Sequence, residues 1–252
     1  MRRISRGSLP MKTQNYLIRK QRELDADAVV SPETSWVHAR KNKALKRLVD
    51  VLIEMSGKRA RCMYCDDSRG TSIEHFWPKS RYREKCFLWE NMLLLCQGCQ
   101  NHKGNRFDLD QAGLPLLIDP TVEDPWDHLF FEAGTGILTG RYDGKTHQPS
   151  EKGLHTTRSD ILPLNIEAVT EGRLRTKRNL QRAVRDFTGH VEQGRNMAEA
   201  ENELVEAVRD NDDYGLAVWF FIRDGQKDRP FADLKTNWPK VWTCVQKAVA
   251  SC

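Results

Sequence analysis

Residues 62–107, "CMYCDDSRGTSIEHFWPKSRYREKCFLWENMLLLCQGCQNHKGNRF", gather side chains that hold metals and move protons. The stretch contains five of the chain's seven cysteines and two of its seven histidines. Cys62-x-x-Cys65 and Cys96-x-x-Cys99 form two pairs about 30 residues apart. Each Cys-x-x-Cys turn places two sulfurs on one side of a tight knuckle, and two knuckles close the four-thiolate tetrahedron that zinc favours. In a reducing cytosol such pairs read as metal ligands, not disulfides. Cys86, Cys244 and Cys252 are left over. We read them as one small buried residue and two thiols without a role.

Between the knuckles lie Glu74-His75 and Asn91. A histidine at a strand end can take a proton from water. The carboxylate beside it can hold a hard divalent cation. An asparagine across a hairpin can accept the imidazole's other N–H and fix its orientation. An activated water and a metal that stabilises developing charge are what phosphodiester hydrolysis requires. Taken singly, Glu-His is an ordinary surface pair and Asn an ordinary turn residue. Their placement inside a two-knuckle frame, which needs neither for folding, points to a nuclease. The competing reading is a zinc-ribbon binding module without chemistry. A Cys-x-x-Cys redox protein fits poorly, because no thioredoxin-like βαβ pattern surrounds the pairs.

The elements that must position these groups can be read from local signals. "TSIEHFWP" predicts a short strand ending at Glu74-His75 and stopped by Pro78; "FLWENMLLLC" predicts a second element carrying Asn91. "CQGCQNHKGN" reads as a knuckle flowing into a helix. Upstream, residues 1–30 read as extended and then helical. "SPETSWVHARKNKALKRLVDVLIEMSG" predicts one helix opened by Ser31-Pro32 and closed by Gly57. Downstream, "HLFFE" and "ILTGRY" flank Ala-Gly-Thr-Gly as a β-hairpin, and a long basic helix follows "ILPLN". "NMAEAENELVEAVRD", "GLAVWFFIRDG" and "FADLKTNWPKVWTCVQKAVA" read as further helices; a strand stays open for the second. We expect residues 1–57 to form a basic arm and helix, 58–112 the nuclease core, and 113–252 a hairpin and helical region.

The chain has 252 residues, 39% hydrophobic and 30% charged, enough for a sizeable core. It has no apolar run long enough to span a bilayer and no signal-peptide core behind its basic start, so a cytoplasmic protein is expected. The net charge is +5. Arg2, Arg3, Arg6, Lys12, Arg19, Lys20 and Arg22 precede the first acid, Glu23. Such a gradient suits nucleic acid or an acidic protein groove. Because Ile4, Leu9, Tyr16, Leu17 and Ile18 are interleaved with the charges, docking onto a protein partner is the favoured reading of the arm.

The motif Cys62-x-x-Cys65, Glu74-His75, Asn91, Cys96-x-x-Cys99 and Lys103 resembles the HNH endonucleases of the ββα-metal fold. The core likeness covers about a fifth of the chain. It implies an α+β protein, mostly helical, built around a ββα-metal core with a structural four-cysteine Zn²⁺ site and a catalytic Mg²⁺ or Mn²⁺. It further implies His75 as general base, Glu74 as metal ligand and Asn91 as the residue orienting His75. The family places His or Asn directly after the fourth cysteine, whereas Gln100 stands here, followed by Asn101 and His102. A small shift of the helix start would present His102 or Asn101 instead of Gln100, with His102 the favoured last ligand. The flanks "MRRISRGSLP", "PLLIDPTVEDPWDHLFFEAGTGIL" and "ILPLN" resemble HNH proteins of Septu-type and retron-associated antiphage systems over roughly residues 1–190. That likeness implies a defence effector cleaving DNA or RNA, tRNA included, beside an ATPase of the ABC or SMC type. Its retron members add a reverse transcriptase with its non-coding RNA and DNA as a further expected partner.

Overall fold

Residues 1–250 are described by the computed structural model, an α+β architecture of helices and three two-stranded sheets. Cys252 lies outside the described residues. The chain divides into two compact units, one of residues 1–129 and 140–164, the other of residues 130–139 and 165 onward.

In the first unit, α1 spans Met11–Ala26, α2 Pro32–Ala39 and α3 Lys43–Met55. The single helix expected from residue 31 to 57 is two. The Ser31 hydroxyl caps α2 by accepting from the Thr34 amide at 3.1 Å. Asn42 then adopts extended backbone, and its side chain accepts from the Ala44 amide at 2.9 Å. Asparagine competes for backbone donors and so restarts a helix instead of continuing one. Leu45, Leu48, Val51 and Leu52 bury one face of α3. Strands β1 (Ser72–His75) and β2 (Met92–Leu95) pair antiparallel, with Glu74 opposite Leu93 and His75 opposite Met92. Every residue of β2 is buried, which accounts for its unbroken apolar run. Helix α4 (Gln97–Lys103) follows at once.

The amino-terminal arm is part of this unit's core. Met1, Ile4, Leu17 and Leu24 are each at most 5% exposed. The Ile4 amide donates to the Pro120 carbonyl at 2.8 Å. Arg6 donates to the carbonyls of Met92 at 2.6 Å and Glu90 at 3.0 Å, and also to the Thr121 hydroxyl. The expectation that the arm's apolar residues anchor a partner is corrected for Ile4 and Leu17, which are buried within the chain itself. Arg6→Ala should leave these acceptors without their charged donor, at about 1.5–3 kcal/mol per charge-assisted bond. We expect a drop in thermal midpoint well beyond that of Arg3→Ala, whose side chain is exposed; equal midpoints would contradict this role.

Strands β3 (Leu129–Phe131) and β4 (Leu138–Gly140) form the expected hairpin. Its turn requires Gly136 at φ 79°, because a Cβ there would strike the Thr170 carbonyl. Two short strands, β5 (Tyr142–Asp143) and β6 (Gln148–Pro149), pair next, followed by α5 (Glu151–Thr157). The second unit packs α6 (Glu167–Glu192), α7 (Met197–Asp210), α8 (Leu216–Ile222), α9 (Phe231–Asn237) and α10 (Pro239–Ala250). The Leu-Ala-Val-Trp-Phe-Phe-Ile run is the helix α8, inserted among aromatic neighbours: Phe220 stacks on Phe231 at 4.5 Å. The last expected helix is broken in two at Trp238-Pro239, since a residue before proline is disfavoured in the helical region.

Candidate metal and acid-base site

The four cysteines converge. Their Sγ atoms all lie within 4.8 Å of one another, and Cys65 Sγ is 3.8 Å from Cys96 Sγ. A tetrahedral thiolate site with metal–sulfur bonds of ~2.3 Å puts its sulfurs ~3.8 Å apart, so the arrangement fits zinc. All four side chains are buried, and burial pushes the Cys62 thiol well up. Such thiols deprotonate when a cation offsets the charge. The first knuckle is shaped by a Cys62 amide to Ser68 carbonyl bond of 2.9 Å and by Asp66, which turns at φ 53°. The second opens α4: Cys96 is its N-cap, with Sγ accepting from the Cys99 amide at 3.4 Å.

Glu74 and His75 are successive residues of β1 and leave on opposite faces. The Glu74 carboxylate meets α4. Lys103 Nζ donates to Oε1 at 3.0 Å, and Gln100 Nε2 donates to Oε2 at 3.1 Å. Lys103 is fully buried and also donates to the His75 carbonyl at 2.7 Å. Burial lowers its pKa, and the Glu74 charge opposes that shift. For a divalent cation, Glu74 offers a carboxylate. Gln100 offers a carbonyl oxygen once its amide turns over. One carboxylate, one amide, water and substrate oxygens make up a normal Mg²⁺ shell.

His75 is 3% exposed. Its Nε2 lies 2.8 Å from the Cys86 carbonyl, and its ring meets Trp36 edge-on at 4.5 Å. A carbonyl only accepts, so Nε2 carries the proton and Nδ1 keeps its lone pair. Burial pushes the imidazole down to about 3, with the Lys79 charge acting in the same direction, so the ring is neutral at physiological pH.

Two expected roles need correction. Asn91 does not touch His75. Its Oδ1 accepts from the Trp77 amide at 2.7 Å, and its Nδ2 donates to the carbonyls of Trp77 at 3.0 Å and Lys85 at 2.9 Å. Asn91 ties Trp77 to Lys85, the residue before Cys86, and so helps fix the Cys86 carbonyl that orients His75. His102 does not face Glu74 either. It is exposed, with Nδ1 3.0 Å from its own helix's Gly98 carbonyl. Asn101 bonds Gln97 at 2.6 Å. The helical period contains the missed signal: Gln100 and Lys103 are three apart and share a face, whereas residue 102 points away from residue 100.

No family model matches the chain. Over 83 residues it is 35% identical to the Septu protein PtuB of Bacillus thuringiensis. The match takes in 31% of this chain and 30% of that protein's length. Among the described residues no helix is long and apolar enough to cross a membrane.

Proposed function

We propose that the chain is a metal-dependent endonuclease of the HNH type that hydrolyses phosphodiester bonds in DNA or RNA as the effector of an antiphage defence system. The observation that carries this reading is the Glu74–Gln100–Lys103 cluster, set beside a neutral, oriented His75 within a four-cysteine frame. The likeness to a Septu protein supports the defence context. In this reading Glu74 and the Gln100 carbonyl hold a Mg²⁺ or Mn²⁺ ion, which supplies charge stabilisation at the phosphate. His75 accepts the proton of the attacking water at Nδ1. The Cys86 carbonyl holds the other ring nitrogen and favours the imidazolium once it forms. Lys103 holds the Glu74 carboxylate in place through its 3.0 Å ion pair. Trp36 meets the ring edge-on and leaves little of it open to solvent.

One observation favours a second reading. Both Glu74 oxygens already have donors and His75 is buried, as in a zinc-ribbon module whose frame serves only folding. The last ligand separates the two. If Gln100 binds the catalytic cation, Gln100→Ala lowers cleavage and added Mn²⁺ partly restores it, because Mn²⁺ binds such sites more tightly than Mg²⁺. His102→Ala is then mild. The reverse order of severity would return the ligand to His102. To test substrate and partner, the protein is co-purified with the ATPase of the ABC or SMC type encoded beside it and offered plasmid DNA and total tRNA with Mg²⁺. Cleavage of either supports the proposed activity, and inertness towards both argues for the binding module.

A further inference from the structure

We infer that the groove between α2, α3 and the start of β1 is the track along which the substrate's sugar-phosphate backbone enters the site. This deepens the nuclease reading and rests on it. The groove measures about 380 Å³ and is lined by Trp36, Arg40, Lys46, Thr71, Gln97 and Gln100, among others. Gln100 is the link: its amide touches Glu74 and also forms the groove wall, so the groove opens onto the proposed cation.

The charge along the groove has one sign. Arg40 and Lys46 are exposed, and no carboxylate lines the groove among the described residues. Neither of the two has an ion-pair partner there, whereas Arg47, next along α3, is held by Asp50 at 3.4 Å. The first turn of α3 carries lysine and no acid. Cations there are unfavourable for the helix itself, so their placement fits an anion that binds nearby. Thr71 and Gln97 add neutral hydrogen-bonding groups. Trp36 is 6% exposed, which leaves little aromatic face on which a base could stack. Lone cations with hydroxyl and amide groups suit phosphates and sugars and carry no base code. The occupant is therefore a nucleic-acid backbone, gripped without sequence preference.

The test compares wild type with Arg40→Ala/Lys46→Ala, with Arg47→Ala as control. Binding of fluorescent single-stranded DNA, duplex DNA and tRNA is measured by anisotropy across a salt series in Ca²⁺, and cleavage is then measured in Mg²⁺. Each lost phosphate contact should reduce the slope of log affinity against log salt by about 1. The double variant should lose about 2 in slope, bind on the order of tenfold more weakly at low salt, and do so equally across unrelated sequences. The nucleic acid showing the larger slope change identifies the substrate class. If wild type cleaves and the double variant matches it in slope and affinity, the track is overturned while the nuclease reading stands. If slope and affinity fall as expected but no protein cleaves, the track is supported and the nuclease reading fails. A wild type that binds none of the three nucleic acids overturns both.

Discussion

His75→Gln should abolish cleavage while leaving zinc content and thermal midpoint close to wild type. Glutamine can still donate an N–H to the Cys86 carbonyl, which His75 meets at 2.8 Å, but it has no basic nitrogen. Losing a positioned general base costs ~10² to 10⁴ in rate. His75→Ala is the poorer probe. It would strand a buried carbonyl and open a cavity against Trp36, mixing stability with catalysis. Rate, zinc by elemental analysis and melting should be read on one preparation. The pH profile adds a second readout. Burial pushes the imidazole from its ordinary 6.5 down to about 3, so lowering pH from neutral leaves the base unprotonated until far below 6.5. The acid limb of the rate should therefore not fall near 6.5. Full activity in a folded His75→Gln protein would remove His75 from the mechanism.

Cys96→Ser should cost the proposed zinc site its metal and loosen the knuckle region. Serine is a good helix N-cap, so the cap that Cys96 gives to α4 survives and only the thiolate is lost. Structural zinc contributes ~10 to 16 kcal/mol in isolated zinc peptides. Here β2, wholly buried, retains part of the fold. Elemental analysis should show loss of the metal, and limited proteolysis should cut near residues 62–70 and 96–104. Cys62→Ser should do the same, since both sulfurs belong to one cluster. A soluble, zinc-loaded, protease-resistant Cys96→Ser protein would contradict a four-cysteine site.

The frame of this site could be read from the sequence because its signals are local. Cys-x-x-Cys knuckles, the Pro78 stop after β1 and the cap-to-helix run from Cys96 each depend on a few neighbouring residues. What escaped depends on contacts between distant parts of the chain. The orienting partner of His75 is a backbone carbonyl at Cys86, which no side-chain pattern advertises. Asn91 reads as a hydrogen-bonding residue near the histidine, and it is one. Its partners, though, are the main chain of Trp77 and Lys85. That Gln100 and not His102 faces Glu74 follows from the helical period, which puts residues 100 and 103 on one face. In the arm, interleaved Ile4 and Leu17 signal burial within the chain, and the Ile4 main chain pairs with distant Pro120.

In the proposed reading Glu74 and His75 support cation-dependent cleavage of nucleic acid. The decisive assay uses zinc-loaded protein, alone and with the proposed ATPase partner, incubated with labelled DNA and tRNA. Mg²⁺ is omitted, then supplied, in buffer free of chelators strong enough to strip the thiolate zinc. The expected result is intact substrate without Mg²⁺, cleavage once it is added, and no cleavage by a Glu74→Gln protein of equal zinc content. Cleavage that ignores Mg²⁺ and survives Glu74→Gln would contradict it.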